Sequence, residues 1–216
     1  MARLTRKEKQ AQTRECLMKS AARVFARRGL QQASIDEVTE DAGFTKGAFY
    51  ANFKSKEELF LAMLDERFTQ RIEDIERVIA DEGSGPEKAR RAGDVFVQRM
   101  RADAEWERLF FEFASYAARD EDFREELLTR YRSMRDRIAA ALQGHADEVG
   151  KEPAFSSEQV ALMTCAMANG FALEKLLEGD AVPDELYGTM LMVFFAGLEA
   201  LHKQASGAEV AAGVSG

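Results

Sequence analysis

The residues best suited to chemistry lie between positions 34 and 56, and they suit recognition of a polyanion. Thr45 can cap a short helix whose first N–H groups attract an anion such as a phosphate. Lys46 extends a cation, and Gly47 and Ala48 are small enough to let the chain approach base edges or a thymine methyl. Tyr50 carries an aromatic hydroxyl next to apolar Phe49 and is expected to point outward. Asn52 can both donate and accept. Lys56 falls in the first turn of the next helix, where its charge opposes the helix dipole; a nearby phosphate would account for it there.

Catalytic chemistry finds no comparable cluster. There is no Walker loop, no G-x-S-x-G, no H-E-x-x-H and no glycine-rich dinucleotide turn, so no enzyme and no cofactor are expected. The two histidines are His145 and His202; His145-Ala146-Asp147-Glu148 reads as a polar loop or a fraying helix end before it reads as a metal site. Cys16 and Cys165 form neither a disulfide framework nor a metal cluster and are expected to be inert thiols.

The elements that must position the 34–56 residues are helices. Thr5 with Glu8, Ser34 with Glu37, Ser55 with Glu58 and Ser156 with Gln159 each show the capping-box spacing. A first helix over 5–28 carries Leu17, Ala21, Val24 and Phe25 on one stripe and ends at Gly29. A second begins at Ser34 and buries Ile35, Val38 and Ala42, and Gly43 then supplies a turn. The third, from Thr45 to about Asn52, is too short to stand alone and needs Phe49 and Phe53 as anchors. Two short helices joined by a glycine turn and braced by a third make a helix-turn-helix unit, which exposes one short helix to a major groove.

Ser55 starts a long fourth helix, and Gly83-Ser84-Gly85-Pro86 breaks it. Further helices are predicted over 86–101, 104–119, 121–143, 157–178 and 183–204, with a polar stretch over 144–156 and no strand pattern. The fold class is therefore all-α: a three-helix head over 1–55, a helical ligand-binding and dimerisation domain over 56–204, and a tail over 205–216 expected to be disordered. Charge follows the same division. The net charge is −8, yet residues 1–60 carry an excess of basic groups and the remainder an excess of acidic ones. A basic head on an acidic body fits a head that meets a polyanion. The N-terminal stretch is charged and lacks an apolar h-region, and no run of about 18 apolar residues appears, so neither a leader nor a membrane span is expected and the cytoplasm is the default.

The stretch 34–59, with its Thr45-Lys46-Gly47-Ala48-Phe49-Tyr50 core followed by Phe53, Lys56 and Leu59, resembles the DNA-binding segment of the TetR family of repressors. The resemblance covers about residues 5–65. It implies a homodimer whose two heads dock in major grooves of double-stranded DNA about one turn, or a multiple, apart. It also implies that Thr45, Lys46, Gly47, Ala48, Tyr50 and Asn52 lie at the groove, with Tyr50 and Lys56 on phosphates and Ser34 and Arg6 as further phosphate contacts. Positions 51 and 52 are Ala and Asn, where many members carry an aromatic and His, which bears on the operator sequence and not on the docking mode.

The body concentrates large side chains. Trp106, Phe110, Phe113, Tyr116, Met134, Met163, Met167 and Phe171 are candidates for a pocket that holds a small apolar or aromatic effector, as the resemblance implies, and equally for plain core. Glu112, Tyr116 and Asn169 could orient such a ligand. The last two helices are apolar nearly all round, so each needs burial on more than one side. Leu162, Ala166, Leu173, Leu177, Tyr187, Leu191, Phe194 and Leu198 are therefore expected to form a two-fold interface, with Gly170 and Gly197 permitting close contact. The expected function is a repressor released from a palindromic operator by that effector. The alternative is a ligand-independent DNA-binding or architectural protein, or a regulator controlled by a protein partner.

Overall fold

The computed structural model describes residues 5–148 and 155–213. Nine α-helices are found among them, and no strand: α1 (Arg6–Gln32), α2 (Ile35–Ala42), α3 (Lys46–Tyr50), α4 (Lys56–Ala80), α5 (Gly85–Ala102), α6 (Ala104–Ala117), α7 (Glu121–Glu148), α8 (Ser157–Glu178) and α9 (Glu185–Gly213), with a short 3-10 turn at Gly179–Ala181. Two helices run further than expected. α7 extends to Glu148, and α9 passes Gln204 and continues to Gly213, so a helix occupies most of the stretch expected as a disordered tail. The rest of the polar stretch over 149–154, and residues 214–216, lie outside the described residues.

The helix starts follow from their caps. Thr5, Ser34 and Ser156 each accept from the N–H three residues on, while Glu8, Glu37 and Gln159 reach back to the cap N–H. The Ser55 box is modified: Ser55 Oγ accepts from Glu58 N at 3.2 Å, but the Glu58 carboxylate takes the N–H of Lys54 at 2.6 Å. A further box stands where the sequence reading saw only a break, because Ser84 N donates to Glu87 Oε2 at 2.9 Å and Glu87 N to Ser84 Oγ at 3.4 Å. Pro86 falls in the first turn of α5, where it has no N–H to lose.

The chain packs as two compact units, one formed by Met1–Phe68 with Asp103–Arg130 and the other by Thr69–Ala102 with Tyr131–Gly216. The expected boundary after residue 55 lies inside the first unit, because α6 and the start of α4 and α7 supply part of that unit's core. There Phe60 stacks on fully buried Phe113, with Trp106 at 5.8 Å and Phe123 at 6.5 Å. Leu17, Ala21, Val24 and Phe25 of α1, Val38 of α2 and Phe49 of α3 close on this cluster. α6 also grips the end of α1: Leu30 N donates to Glu112 Oε1 at 2.5 Å and Arg108 to Ala26 O at 3.0 Å. Ser20 is wholly buried, with its hydroxyl 2.8 Å from both Val38 O and Asp41 Oδ2. Arg23 and Arg27 also reach the Asp41 carboxylate, which ties α2 to α1.

In the second unit α5 lies along α9. Their closest approach is at Gly93, where a Cβ would sit 2.6 Å from Gly188 Cα, so only glycine fits. A Cβ at Gly170 or Gly197 meets nothing within 4 Å in this chain, so the close contact expected of them is one for the two-fold interface and not for the packing here. Buried Asp74 pairs with Arg99 and Arg77, and Asp184 with Lys175 and Arg101. One stretch, Ser157–Ala181, is long and apolar enough by composition to cross a membrane, a test that the core helix of a soluble protein also passes. Val160, Ala161, Cys165, Ala168, Phe171 and Ala172 of this helix are buried in the unit, while Leu162, Leu173, Leu176 and Leu177 are exposed.

Candidate nucleic-acid interface

The geometry around α3 is set by three local features. Gly43, at φ 70°, turns the chain between α2 and α3 in the left-handed region that a side chain resists. Its N–H and that of Phe44 satisfy the last carbonyls of α2, at 3.1 Å to Glu40 O and 2.8 Å to Thr39 O. Thr45 then caps α3, its Oγ1 accepting from Ala48 N at 3.2 Å. Phe49 is fully buried and rests against Phe53 at 5.8 Å. A five-residue helix is thus pinned by one ring and a cap, and its other residues are left outside.

Those outside residues are mostly the ones the sequence reading singled out. Thr45, Lys46 and Gly47 are exposed, and Ala48 is half-buried. Tyr50 is 58% exposed and sits edge-on to Phe49 at 5.5 Å. Lys46 pairs with Asp36 at 2.7 Å, and both side chains are well exposed. Such a surface pair is worth little and can yield to a phosphate. Ser34 is exposed but engaged in its cap with Glu37. Arg6 is exposed in the first turn of α1. Gln10 donates to Ala51 O at 3.5 Å and Arg14 to Asn52 O at 3.1 Å, so the basic start of α1, with Lys7 and Lys9, begins beside the end of α3. Exposed Lys54 follows α3 directly and was missed, although its charge and position were open to the sequence reading.

Two residues are not placed as expected. Lys56 does not extend outward: its ammonium donates to Leu30 O at 2.7 Å, Ala33 O at 3.2 Å and Gln31 O at 3.4 Å. The carbonyls where α1 ends lack helical partners, and an ammonium has three donors to give them. Its opposition to the helix dipole therefore has an internal reason. Asn52 is turned inward, donating to Ala48 O at 2.8 Å, and its Oδ1 is buried. It closes the end of α3 instead of facing a groove.

Electrostatics make the head rigid under this surface. The Ser20 hydroxyl first, then Arg23 and Arg27, hold the Asp41 carboxyl down to about 2, so it stays ionised as a strut at neutral pH. Glu37 is lowered by the Ser34 N–H and hydroxyl it accepts from.

The candidate pocket residues divide between the units. Trp106, Phe110, Phe113 and Tyr116 belong to the first, where Phe113 is core and the Tyr116 hydroxyl donates to Asp120 at 2.9 Å. Glu112 is spent on Leu30 N. Met134, Met163, Met167 and Phe171 belong to the second, with Met134 and Phe171 buried there and Asn169 donating to the Tyr131 hydroxyl at 2.6 Å. The interface candidates also divide. Leu162, Ala166, Leu173 and Leu177 are exposed along α8, Leu177 at 72%. On α9, Phe194 and Leu198 are half-buried, but Tyr187 and Leu191 are buried and cannot meet a partner. Tyr187 packs on Phe96 of α5 at 5.0 Å and on Phe171 at 5.3 Å, so that side of α9 faces its own chain. Among the described residues, the large exposed apolar side chains of α9 are Leu186, Val193 and Leu201.

Comparison with known proteins bears on this arrangement. The profile of bacterial regulatory proteins of the tetR family matches residues 17–63, and that of the BetI-type transcriptional repressor C-terminal domain matches residues 86–198, more than half of the chain. The transcriptional activator FasR of Mycolicibacterium smegmatis is 31% identical over 110 residues, which is 51% of this chain and 48% of FasR. The chain thus spans about half or less of the length of such curated relatives. In fold it is similar to FadR of Bacillus subtilis, solved with stearoyl-CoA, at TM-score 0.69 and 15% identity over 82% of this chain and 95% of FadR. It is also similar to SmeT, solved with triclosan, at TM-score 0.67 and 20% identity over 85% of this chain and 89% of SmeT. A capped, exposed α3 on a helix-turn-helix head, joined to a helical body whose profile matches over most of its length, places the chain in the TetR family of transcriptional regulators.

Proposed function

We propose that the chain is a homodimeric cytoplasmic repressor that reads a palindromic operator through α3 and leaves it when a small apolar or aromatic effector binds the body. The observation that carries this reading is α3 itself: Phe49 is buried to the last atom while Thr45, Lys46, Gly47 and Tyr50 stand exposed around it. A helix of five residues held so firmly has little purpose inside one chain and the right size for a major groove. The exposed stripe of Leu162, Leu173 and Leu177 on α8, with Leu186, Val193 and Leu201 on α9, supports the dimer, since such large apolar surface seeks cover. The small-molecule complexes of FadR and SmeT support an effector of some kind for this chain.

Selection of bound duplexes from a random library at near-physiological salt tests the reading. Enrichment of an inverted repeat whose half-sites lie about one helical turn, or a multiple, apart is the expected result. A folded protein that enriches no sequence would leave a ligand-independent, non-specific binder in its place.

A further inference from the structure

The far end of α3 is held by side chains from α1. A helix leaves its last carbonyls without partners, and in a five-residue helix these are most of the carbonyls it has. Three are served locally: Ala51 N donates to Gly47 O at 3.0 Å, the Asn52 amide to Ala48 O at 2.8 Å, and Phe53 N to Phe49 O at 2.9 Å. Ala51 O and Asn52 O, where the chain leaves α3, are met instead from α1. Gln10 Nε2 lies 3.5 Å from the first, and Arg14 Nη1 donates to the second at 3.1 Å.

Arg14 is used differently from the arginines further along α1. Arg23 and Arg27 pair with Asp41 of α2, and Arg28 with Glu37. Among the described residues no carboxylate pairs with Arg14. Its guanidinium carbon lies 4.2 Å from the centre of the Phe53 ring, and Phe53 rests on Phe49, the buried ring that anchors α3. One side chain therefore grips the exit from α3 twice, at a carbonyl and at a ring. A planar guanidinium suits both tasks, since its face meets the ring while an N–H edge meets the oxygen. Arg14 is also half-buried, unlike exposed Lys46 and Lys54. A reading helix must keep its side chains within about half an ångström of their contact positions. Thr45 fixes the start of α3 and Phe49 its middle, so the angle of its far end is left to Arg14.

We infer that Arg14 is a positioning residue for DNA reading: without touching DNA, it fixes the end of α3 against α1, so that Lys46, Gly47 and Tyr50 meet the groove at one angle. The inference rests on the DNA-reading function proposed above and names a residue on which that site depends.

The test uses the intact protein, a duplex carrying the selected operator and a scrambled duplex of equal length. Arg14→Met should weaken operator binding about tenfold, the effect of one charge-assisted hydrogen bond. Binding to the scrambled duplex, and the salt dependence on the operator, should stay unchanged. Arg14→Lys, which keeps a cation over Phe53, should recover much of the loss, and it carries the same comparison if the methionine variant does not fold. Amide exchange in the free protein reads the clamp directly. In Arg14→Met the Ala51, Asn52 and Phe53 N–H groups should exchange about tenfold faster, while those of Val24 and Val38 keep their rates. Unchanged operator affinity, or exchange that rises equally across the head, overturns the inference and leaves the DNA reading standing. A loss shared by the scrambled duplex, with a salt slope shallower by about one phosphate, makes Arg14 a direct contact and overturns it as well. If selection with the unaltered protein yields no operator, the inference and the DNA-reading proposal fall together.

Discussion

The two compact units spend their polar groups in different ways. In the first, nearly every polar side chain near the core closes a helix end or ties one helix to the next. Lys56 covers the carbonyls at the end of α1, Glu112 takes the N–H of Leu30, and Asp41 joins α2 to α1. What remains outside on α3 is Thr45 at its cap, Lys46, Gly47 and Tyr50. The second unit is joined by close packing of α5 on α9 and leaves apolar stripes on α8 and α9 exposed. The first unit thus turns its polar groups inward to fix its helices, whereas the second leaves large apolar surface on α8 and α9, which under the proposed function a second copy would cover.

The largest expected effect tests the completeness of the first unit. Phe113→Ala removes a fully buried ring from the Phe60 stack and should cost about 4 kcal/mol in urea unfolding, enough to leave little folded head. Next, Gly93→Leu forces a side chain against the Gly188 backbone and should cost about 3 kcal/mol, while Gly197→Ala, with open space around it, should leave chain stability unchanged or slightly raised. Equal effects at the two glycines would break the account of α5 on α9.

Lysine substitutions sharpen the contrast between structure and recognition within the head. Lys56→Met leaves three carbonyls without their donor and should cost about 2 kcal/mol, measured by thermal unfolding. Lys46→Met, which loses an exposed pair with Asp36, should change stability by less than about 0.5 kcal/mol. An effect between these two concerns Asp41. Its carboxyl is depressed to about 2 in the folded chain, so its contribution is full above the unfolded value near pH 4 and is lost as pH falls through about 2. Asp41→Ala should cost about 1 kcal/mol at pH 7, modest because screening weakens a strut that is partly exposed, and progressively less as pH falls from 4 through 2.

Much of this was legible in the sequence where the cause is local. Caps such as Thr5 with Glu8 and Ser34 with Glu37 act within one turn, and Gly43 marks its own turn. The Ser84 and Glu87 box has the same spacing but lies in a glycine-rich break, which masked it. The misplacements have tertiary causes. Lys56 reads from sequence as a phosphate ligand because its partners, the last carbonyls of α1, lie some two dozen positions away. Asn52 looked outward because its type suits a base, but it ends α3 by bonding back to Ala48 O. Tyr187 and Leu191 were assigned to a partner because α9 is apolar nearly all round, and such a helix does not tell which face meets its own chain. The answer lies in the Gly93 and Gly188 approach, a pairing between distant glycines that no local pattern announces.

The central claim, that the exposed residues of α3 read DNA while the rest of the head only holds them, is tested most directly by one comparison on the selected duplex. Binding of the unaltered chain is measured beside that of the double variant Lys46→Ala, Tyr50→Phe, with the melting temperature recorded for both. The account predicts a loss of about 100-fold in affinity and a shallower salt dependence, by about one phosphate contact, at an unchanged melting temperature. Unchanged binding by the folded double variant would contradict it.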